Sequence, residues 1–216
     1  LIGQGGSFNT GSLLLSTGQI AASSSSGTST FAIDGAADSR AGITNLGTIT
    51  TTGEAMLVAP RIAQRATLVA GGSVALVAAE DAVLRVTNGL FDIEVTAGTL
   101  AAAGDSVLID HAGQTTSAGP NGVALVGVSR NDAMTMLLGG TIEALEARSS
   151  GNGIVIAAGR DLKEGAAQAT QGGNGRVDIA FTTVAPPVNL DPAEGSPFIT
   201  TGAIAADATG SITAAA

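Results

Sequence analysis

"ITNLGTITTTGEAMLVA" runs from Ile43 to Ala59, and "IAQRATLVAGGSVALVA" runs from Ile62 to Ala78. Laid over one another 19 residues apart, they match Ile43 to Ile62, Thr48 to Thr67, Ile49 to Leu68 and Gly53 to Gly72. The same offset matches Leu57, Val58 and Ala59 to Leu76, Val77 and Ala78. Self-similarity at so short a period marks a stacked repeat, because equivalent positions lying above one another want equivalent side chains.

The recurring unit is a glycine followed by alternating apolar positions: Gly11 to Leu15, Gly72 to Leu76, Gly175 to Ile179 and Gly210 to Ala214. Each reads as a short strand after a turn, with one face buried and one wet, as Val177 and Ile179 alternate with Arg176 and Asp178. Glycine is expected here for the turn conformations that a Cβ resists. A second strand phrase precedes it in "GTIT" (Gly47–Thr50), "ATLV" (Ala66–Val69), "GTLA" (Gly98–Ala101), "GTIEA" (Gly140–Ala144) and "GAIA" (Gly202–Ala205). Two or three strands per repeat make one coil of a β-solenoid. At roughly 20 residues per coil and about 4.8 Å per rung, the chain is expected to make about ten coils and a rod some 50 Å long.

Composition agrees. The 216 residues are 44% hydrophobic, enough for a core, yet include no Cys, Trp or Tyr and only 5 Phe against 31 Gly. A compact globule commonly plugs irregular volumes with aromatic rings, whereas a thin core of stacked aliphatic side chains needs none. The formal charge of -9 argues against nucleic acid and anionic membranes as partners. The apolar stretch Ala66–Ala79 is too short to span a bilayer and is broken by Gly71 and Gly72, so no membrane insertion is expected. The chain opens at Leu1 with no charged-then-apolar leader, as expected of a processed chain or a piece of a longer one.

The whole of 1–216 therefore reads as one domain. Three stretches are expected to leave the coil: Ala21–Thr30, His111–Gly122 and Val184–Phe198, the last holding four of the 6 prolines and read as a loop. Helix-forming phrases at Glu143–Arg148 and Asp161–Ala169 are too short to stand without packing.

"FNTGSLLLSTGQI" (Phe8–Ile20), the segment from Ile43 to Val86, and "GTIEALEARSSGNGIVIAAGRD" (Gly140–Asp161) together resemble the amino-terminal region of filamentous-haemagglutinin-type exoproteins of two-partner secretion. The order of the phrases carries the likeness: "GSLLLST", "TNLGTI", "VAPRI", "GGSVALVAA", "GTIEA" and "GIVIAAG". The resemblance implies a right-handed parallel β-helix exported through an outer-membrane β-barrel transporter. It also implies a secreted, extracellular or cell-surface place on a Gram-negative bacterium, with an adhesive or structural role. The family's Asn-Pro-Asn-Gly signature ahead of the "GSLLLST" phrase is not in this chain.

Residues that could carry chemistry are few. His111, beside Asp110, is the sole histidine, and with no Cys a soft-metal site is not expected. Acidic pairs occur at Glu80 with Asp81, Asp92 with Glu94, and Glu143 with Glu146; the second pair shares one face of a strand. "GGNGRVDIA" (Gly172–Ala180) is one residue out from a calcium nonapeptide, and Asp34 and Asp38 are the hard-ion candidates. Asn45 and Asn152 sit at turns, where asparagine bonds turn backbone or stacks in ladders.

No catalytic, cofactor or metal residue is assigned, and the expectation is a structural, adhesive exoprotein rather than an enzyme. Two alternatives stand beside it. One is a fibre subunit whose open ends stack head to tail through the uncharged tail "GSITAAA" (Gly210–Ala216). The other is a carbohydrate-active enzyme, with acidic side chains set against Phe91 or Phe181 in a cleft.

Overall fold

The structure is a computed structural model. It describes residues 3–87, 90–99, 107–119, 122–129, 136–145, 154–160, 167–169, 180–181, 199–201, 203–206 and 211–215. Among them there is no helix, and the expectation of an all-β chain with parallel pairing holds. The prolines of 184–198 and the phrase at 175–179 lie outside the described residues.

Eighteen strands carry the description to Arg160: β1 (Ser7–Thr10), β2 (Leu13–Ser16), β3 (Gln19–Ser25), β4 (Thr28–Asp34), β5 (Gly42–Asn45), β6 (Thr48–Thr51), β7 (Ala55–Ala59), β8 (Arg61–Gln64), β9 (Thr67–Ala70), β10 (Val74–Ala78), β11 (Asp81–Thr87), β12 (Leu90–Ala97), β13 (Ile109–His111), β14 (Gln114–Ser117), β15 (Val123–Ser129), β16 (Met136–Leu138), β17 (Gly140–Ala144) and β18 (Ile154–Arg160). Three sheets are built by parallel pairing as far as Arg160: sheet A orders β5-β8-β13-β16, sheet B β1-β6-β9-β14-β17 and sheet C β2-β7-β10-β15-β18. Beyond it Ile199–Thr201 adds to A in parallel, while Ser211–Ala215 and then Ala203–Ala206 extend B by antiparallel pairing, against the expected coil. The chain visits A, then B, then C, and repeats that order as β5-β6-β7, β8-β9-β10, β13-β14-β15 and β16-β17-β18.

Every pair matched by the internal repeat is a neighbour in this register. Ile43 lies beside Ile62, Thr48 beside Thr67, Ile49 beside Leu68, and Leu57, Val58 and Ala59 beside Leu76, Val77 and Ala78. Gly72 N donates to Gly53 O at 2.9 Å across the same step. The 19-residue spacing is one circuit, but it is not the length of every circuit. Sheet A continues from Ile62 to Ile109 and from Ile109 to Met136, so later circuits are longer and the expected uniform coil of about 20 residues does not hold.

The first long step is filled by β11 and β12, which leave the circuit as a hairpin. They join the hairpin β3-β4 in an antiparallel sheet D, ordered β12-β11-β4-β3 and extended beyond β12 by Ala167–Ala169 and Ala180–Phe181. Antiparallel pairing was no part of the expected coil. Ala21–Thr30 leaves the circuit as expected, within the paired strands β3 and β4. Of His111–Gly122, expected to leave, the described residues 111–119 stay in, since His111 ends β13 and Gln114–Ser117 form β14.

Sheet D changes what sheet C must bury. Leu57, Leu76 and Leu125 point into the space enclosed by A, B and C, while Val58, Val77 and Val126 point outward and are equally inaccessible, at 0% exposure. There they pack against Ile33, Leu84, Ile93 and Val95 of sheet D. The expected wet face of these strands is therefore dry. Burial on both sides explains why "AMLVA" and "VALVA" are unbroken apolar runs, as in other parallel strands covered twice. Each such Leu or Val contributes about 1.5–3 kcal/mol by leaving water.

At the turn from B to C the glycines stack: Gly53 N donates to Gly11 O at 2.6 Å, Gly72 N to Gly53 O, and Gly119 N to Gly72 O at 3.2 Å. None of these donors has a positive φ. Close approach, not left-handed backbone, is what requires glycine: a Cβ on Gly72 would sit 2.7 Å from the Gly53 carbonyl carbon, and one on Gly119 would sit 2.4 Å from the Gly72 carbonyl carbon. Gly11, at the end of the column, has nothing within 4 Å of that position. Gly72→Ala and Gly119→Ala are each expected to lose about 1–3 kcal/mol in urea unfolding, as overpacked sites do, while Gly11→Ala stays within about 0.5 kcal/mol of the parent. Equal losses at all three would show that stacking distance is not the constraint.

Candidate functional site

Among the described residues, a column of buried polar side chains lies inside the turn from sheet A to sheet B. The last residues of β5, β8 and β13 are Asn45, Gln64 and His111, and the parallel register sets them directly above one another, with Leu138 next in the column. All three polar members are within about a hundredth of fully buried, at 1%, 0% and 0% exposure. A strand that must turn at once into its neighbour leaves backbone groups without ladder partners, and in a core they need partners from side chains.

Each member serves its own turn and touches the next. Gly47 N donates to Asn45 Oδ1 at 3.1 Å, and Asn45 Nδ2 donates to Thr67 O and to Gln64 Oε1, both at 3.1 Å. Gln64 Nε2 donates to Ala66 O at 2.9 Å. His111 Nδ1 lies 2.8 Å from Gly139 O, and Nε2 lies 2.8 Å from Thr115 Oγ1. A carbonyl only accepts, so Nδ1 carries a proton. In the neutral ring Nε2 then accepts from the Thr115 hydroxyl, which fixes one tautomer. A second, smaller column closes the turn from B to C, where Thr51 Oγ1 donates to Gly53 O at 2.7 Å and Ser117 Oγ to Gly72 O at 2.9 Å.

Burial pushes His111 below the usual histidine range, and the Gly139 carbonyl and the neighbouring Asp110 only partly oppose it. Asp110 itself faces outward and is held by Arg65, whose Nε donates to Oδ2 at 3.0 Å. The imidazole is thus a sealed, neutral, hydrogen-bonded part of the wall. Its two ring nitrogens hold Gly139 and Thr115.

The acidic candidates are scattered. Asp92 and Glu94 share the outer face of β12, as their spacing indicates, and both accept from Arg85 of β11, at 3.0 Å each. Their carboxylates hold the Arg85 guanidinium charged, Glu94 first and Asp92 second. Asp81 Oδ1 accepts from Gly35 N at 2.9 Å, and Glu80 beside it is buried at 3% exposure. Asp34 ends β4, Asp38 sits in the following loop with φ 58°, and Glu143 lies on β17. Among the described residues no three of His, Asp and Glu are grouped as a metal would need, and no helix is long and apolar enough to cross a membrane. Glu146, Asn152 and the Gly172–Gly175 phrase lie outside the described residues, as do the side chains of Phe91 and Phe181.

Sequence reading found Asn45 as a turn residue but missed Gln64 and set His111 at the start of a stretch leaving the coil. The signal was present in the repeat itself. "ITNLG", "IAQRA" and "IDHAG" share an isoleucine, a polar residue two places on and a small residue two places further. Comparison of the chain with protein-family models, with curated proteins and with solved structures gives no match.

The direction of the His111 shift sets a pH dependence. Because its folded value lies below the unfolded one, the unfolded chain binds a proton that the folded chain refuses. Stability is therefore intact above the ordinary histidine value of 6.5 and falls as the pH drops below it. His111→Gln removes this contribution, so the gap in urea midpoint between parent and variant should shrink from pH 7.5 to pH 5. A gap that stays constant would show that His111 does not titrate between the two states. Gln64→Leu, which strips a donor from Ala66 O, is expected to cost about 1–3 kcal/mol at any pH.

Proposed function

We propose that the chain is a right-handed parallel β-helix of an exported bacterial surface protein, of the filamentous-haemagglutinin type, with an adhesive or scaffolding role. The observation that carries this reading is the identity of the strands that bear the resemblance. Of the six phrases, "GSLLLST", "VAPRI", "GGSVALVAA" and "GIVIAAG" contribute to β2, β7, β10 and β18 of one parallel sheet, and "TNLGTI" and "GTIEA" fall on β5, β6 and β17 of the two parallel sheets beside it. A motif set that recurs because it stacks is a property of the scaffold. Its natural use is to hold an extended, regular outer surface toward a partner.

Export through an outer-membrane β-barrel fits the same construction. A chain without cysteine needs no disulfide exchange outside the cell. Each finished circuit also presents a row of backbone donors and acceptors on which the next can form, so folding can follow emergence of the thread. Tight burial of Asn45, Gln64 and His111, and the Arg85 pairing of Asp92 and Glu94, favour a structural use of these residues over a catalytic one.

The test is secretion. Placed behind a periplasmic leader in a Gram-negative host, the chain is expected in the medium only when a two-partner β-barrel transporter is co-expressed. Equal amounts in the medium without the barrel, or full retention in the periplasm with it, would remove the proposed route. Retention of transported protein on epithelial cells or an abiotic surface, against a transported control, then tests adhesion separately.

A further inference from the structure

At one end of the molecule all four sheets stop on early strands: sheet B on β1, sheet C on β2, sheet D on β3 and sheet A on β5. None of these strands contains Asp, Glu, Lys or Arg, in a chain with 18 acidic and 9 basic residues. The longest of them is also the barest. All seven residues of β3, Gln19–Ser25, are exposed, and the strand pairs only with β4. Ile20 keeps 45% of its surface in water although its partner Ile33, on the same face, is buried at 4%.

Edge strands in soluble proteins are blunted by charge, proline or a bulge, because an unpaired edge is a template for another strand. β3 has none of these. Its register with β4 is unbroken from Gln19 opposite Asp34 to Ser25 opposite Thr28. Strands β4, β11 and β12 of the same sheet, by contrast, carry Asp34, Asp81, Arg85, Asp92 and Glu94.

We propose that β3 is a self-association edge, on which a second copy of this chain adds its own β3 antiparallel about a twofold axis, joining two D sheets into one. Charge selects the occupant. A molecule of formal charge -9 repels its copy over most of its surface, and this long, fully exposed, uncharged edge lets two copies meet without like charges opposed. Symmetry fits as well: a twofold axis makes identical strands antiparallel and closes the assembly at two. Centred on Ala22, the pairing opposes Gln19 to Ser25, Ile20 to Ser24 and Ala21 to Ser23, all side chains that close strands accommodate. Ile20 loses its exposure, and the uncharged edge of β2 lies at the same end of the molecule to extend the contact. The inference stands independently of the export reading.

The absence of native cysteine makes the test clean. Two Ala22 Cα atoms facing each other across an antiparallel pair would be about 4.5–5.5 Å apart, within disulfide reach. Sedimentation of the parent is expected to give a dimer. Ala22→Cys under mild oxidation should give a covalent dimer in high yield, while Thr96→Cys, exposed on β12 away from the edge, should not. Ala21→Lys, on an exposed side chain, should weaken association by about tenfold or more with an unchanged melting temperature. A parent that sediments as a monomer at submillimolar concentration overturns the proposal. So does equal cross-linking at Ala22→Cys and Thr96→Cys, and so does growth into open polymers in place of a closed dimer.

Discussion

Vertical register between successive circuits is the constraint on which everything else rests. Parallel strands β6, β9, β14 and β17 pair without a shift, so each side chain has a fixed neighbour one rung away. A slip of one residue would turn every inward side chain outward, and the turns that join the sheets would lose their partners. Two devices hold the register at the corners. The stacked glycines at the turn from B to C approach too closely to admit a Cβ, and the Asn45–Gln64–His111 column at the turn from A to B satisfies turn backbone from inside.

The second organising fact is that sheet C is shared. Its inner face closes the space bounded by sheets A and B, and its outer face forms a second core with the antiparallel sheet D. The hairpins β3-β4 and β11-β12 of sheet D are separated in sequence by two complete circuits, so the sheet spans the rungs and ties them together from outside. This division also distributes function. The interior is aliphatic apart from its polar columns, and the wet surface falls to the outside of A, B and D.

Of the residues weighed for chemistry, position decides the role more than type does. Histidine in a cleft is a proton carrier; His111, with both ring nitrogens engaged and no exposure, is a neutral brace. Two carboxylates two residues apart on a strand resemble a catalytic pair in outline. Asp92 and Glu94 are instead the two arms of one ion cluster on Arg85.

The sequence by itself determined the strand content, the parallel stacking and even the register, because like positions that stack repeat their residue type and the repeat is visible at one circuit's spacing. It also held the polar column, as the shared spacing of "ITNLG", "IAQRA" and "IDHAG". What only the tertiary structure decided was where the chain leaves the circuit and what covers it there. Hairpins β3-β4 and β11-β12 meet through long-range antiparallel pairing that no local period announces. With them came the drying of the outer face of sheet C. An apolar run such as Val74–Ala78 reads the same in one sequence whether water or another sheet lies against its second face, and only the folded chain supplies that neighbour.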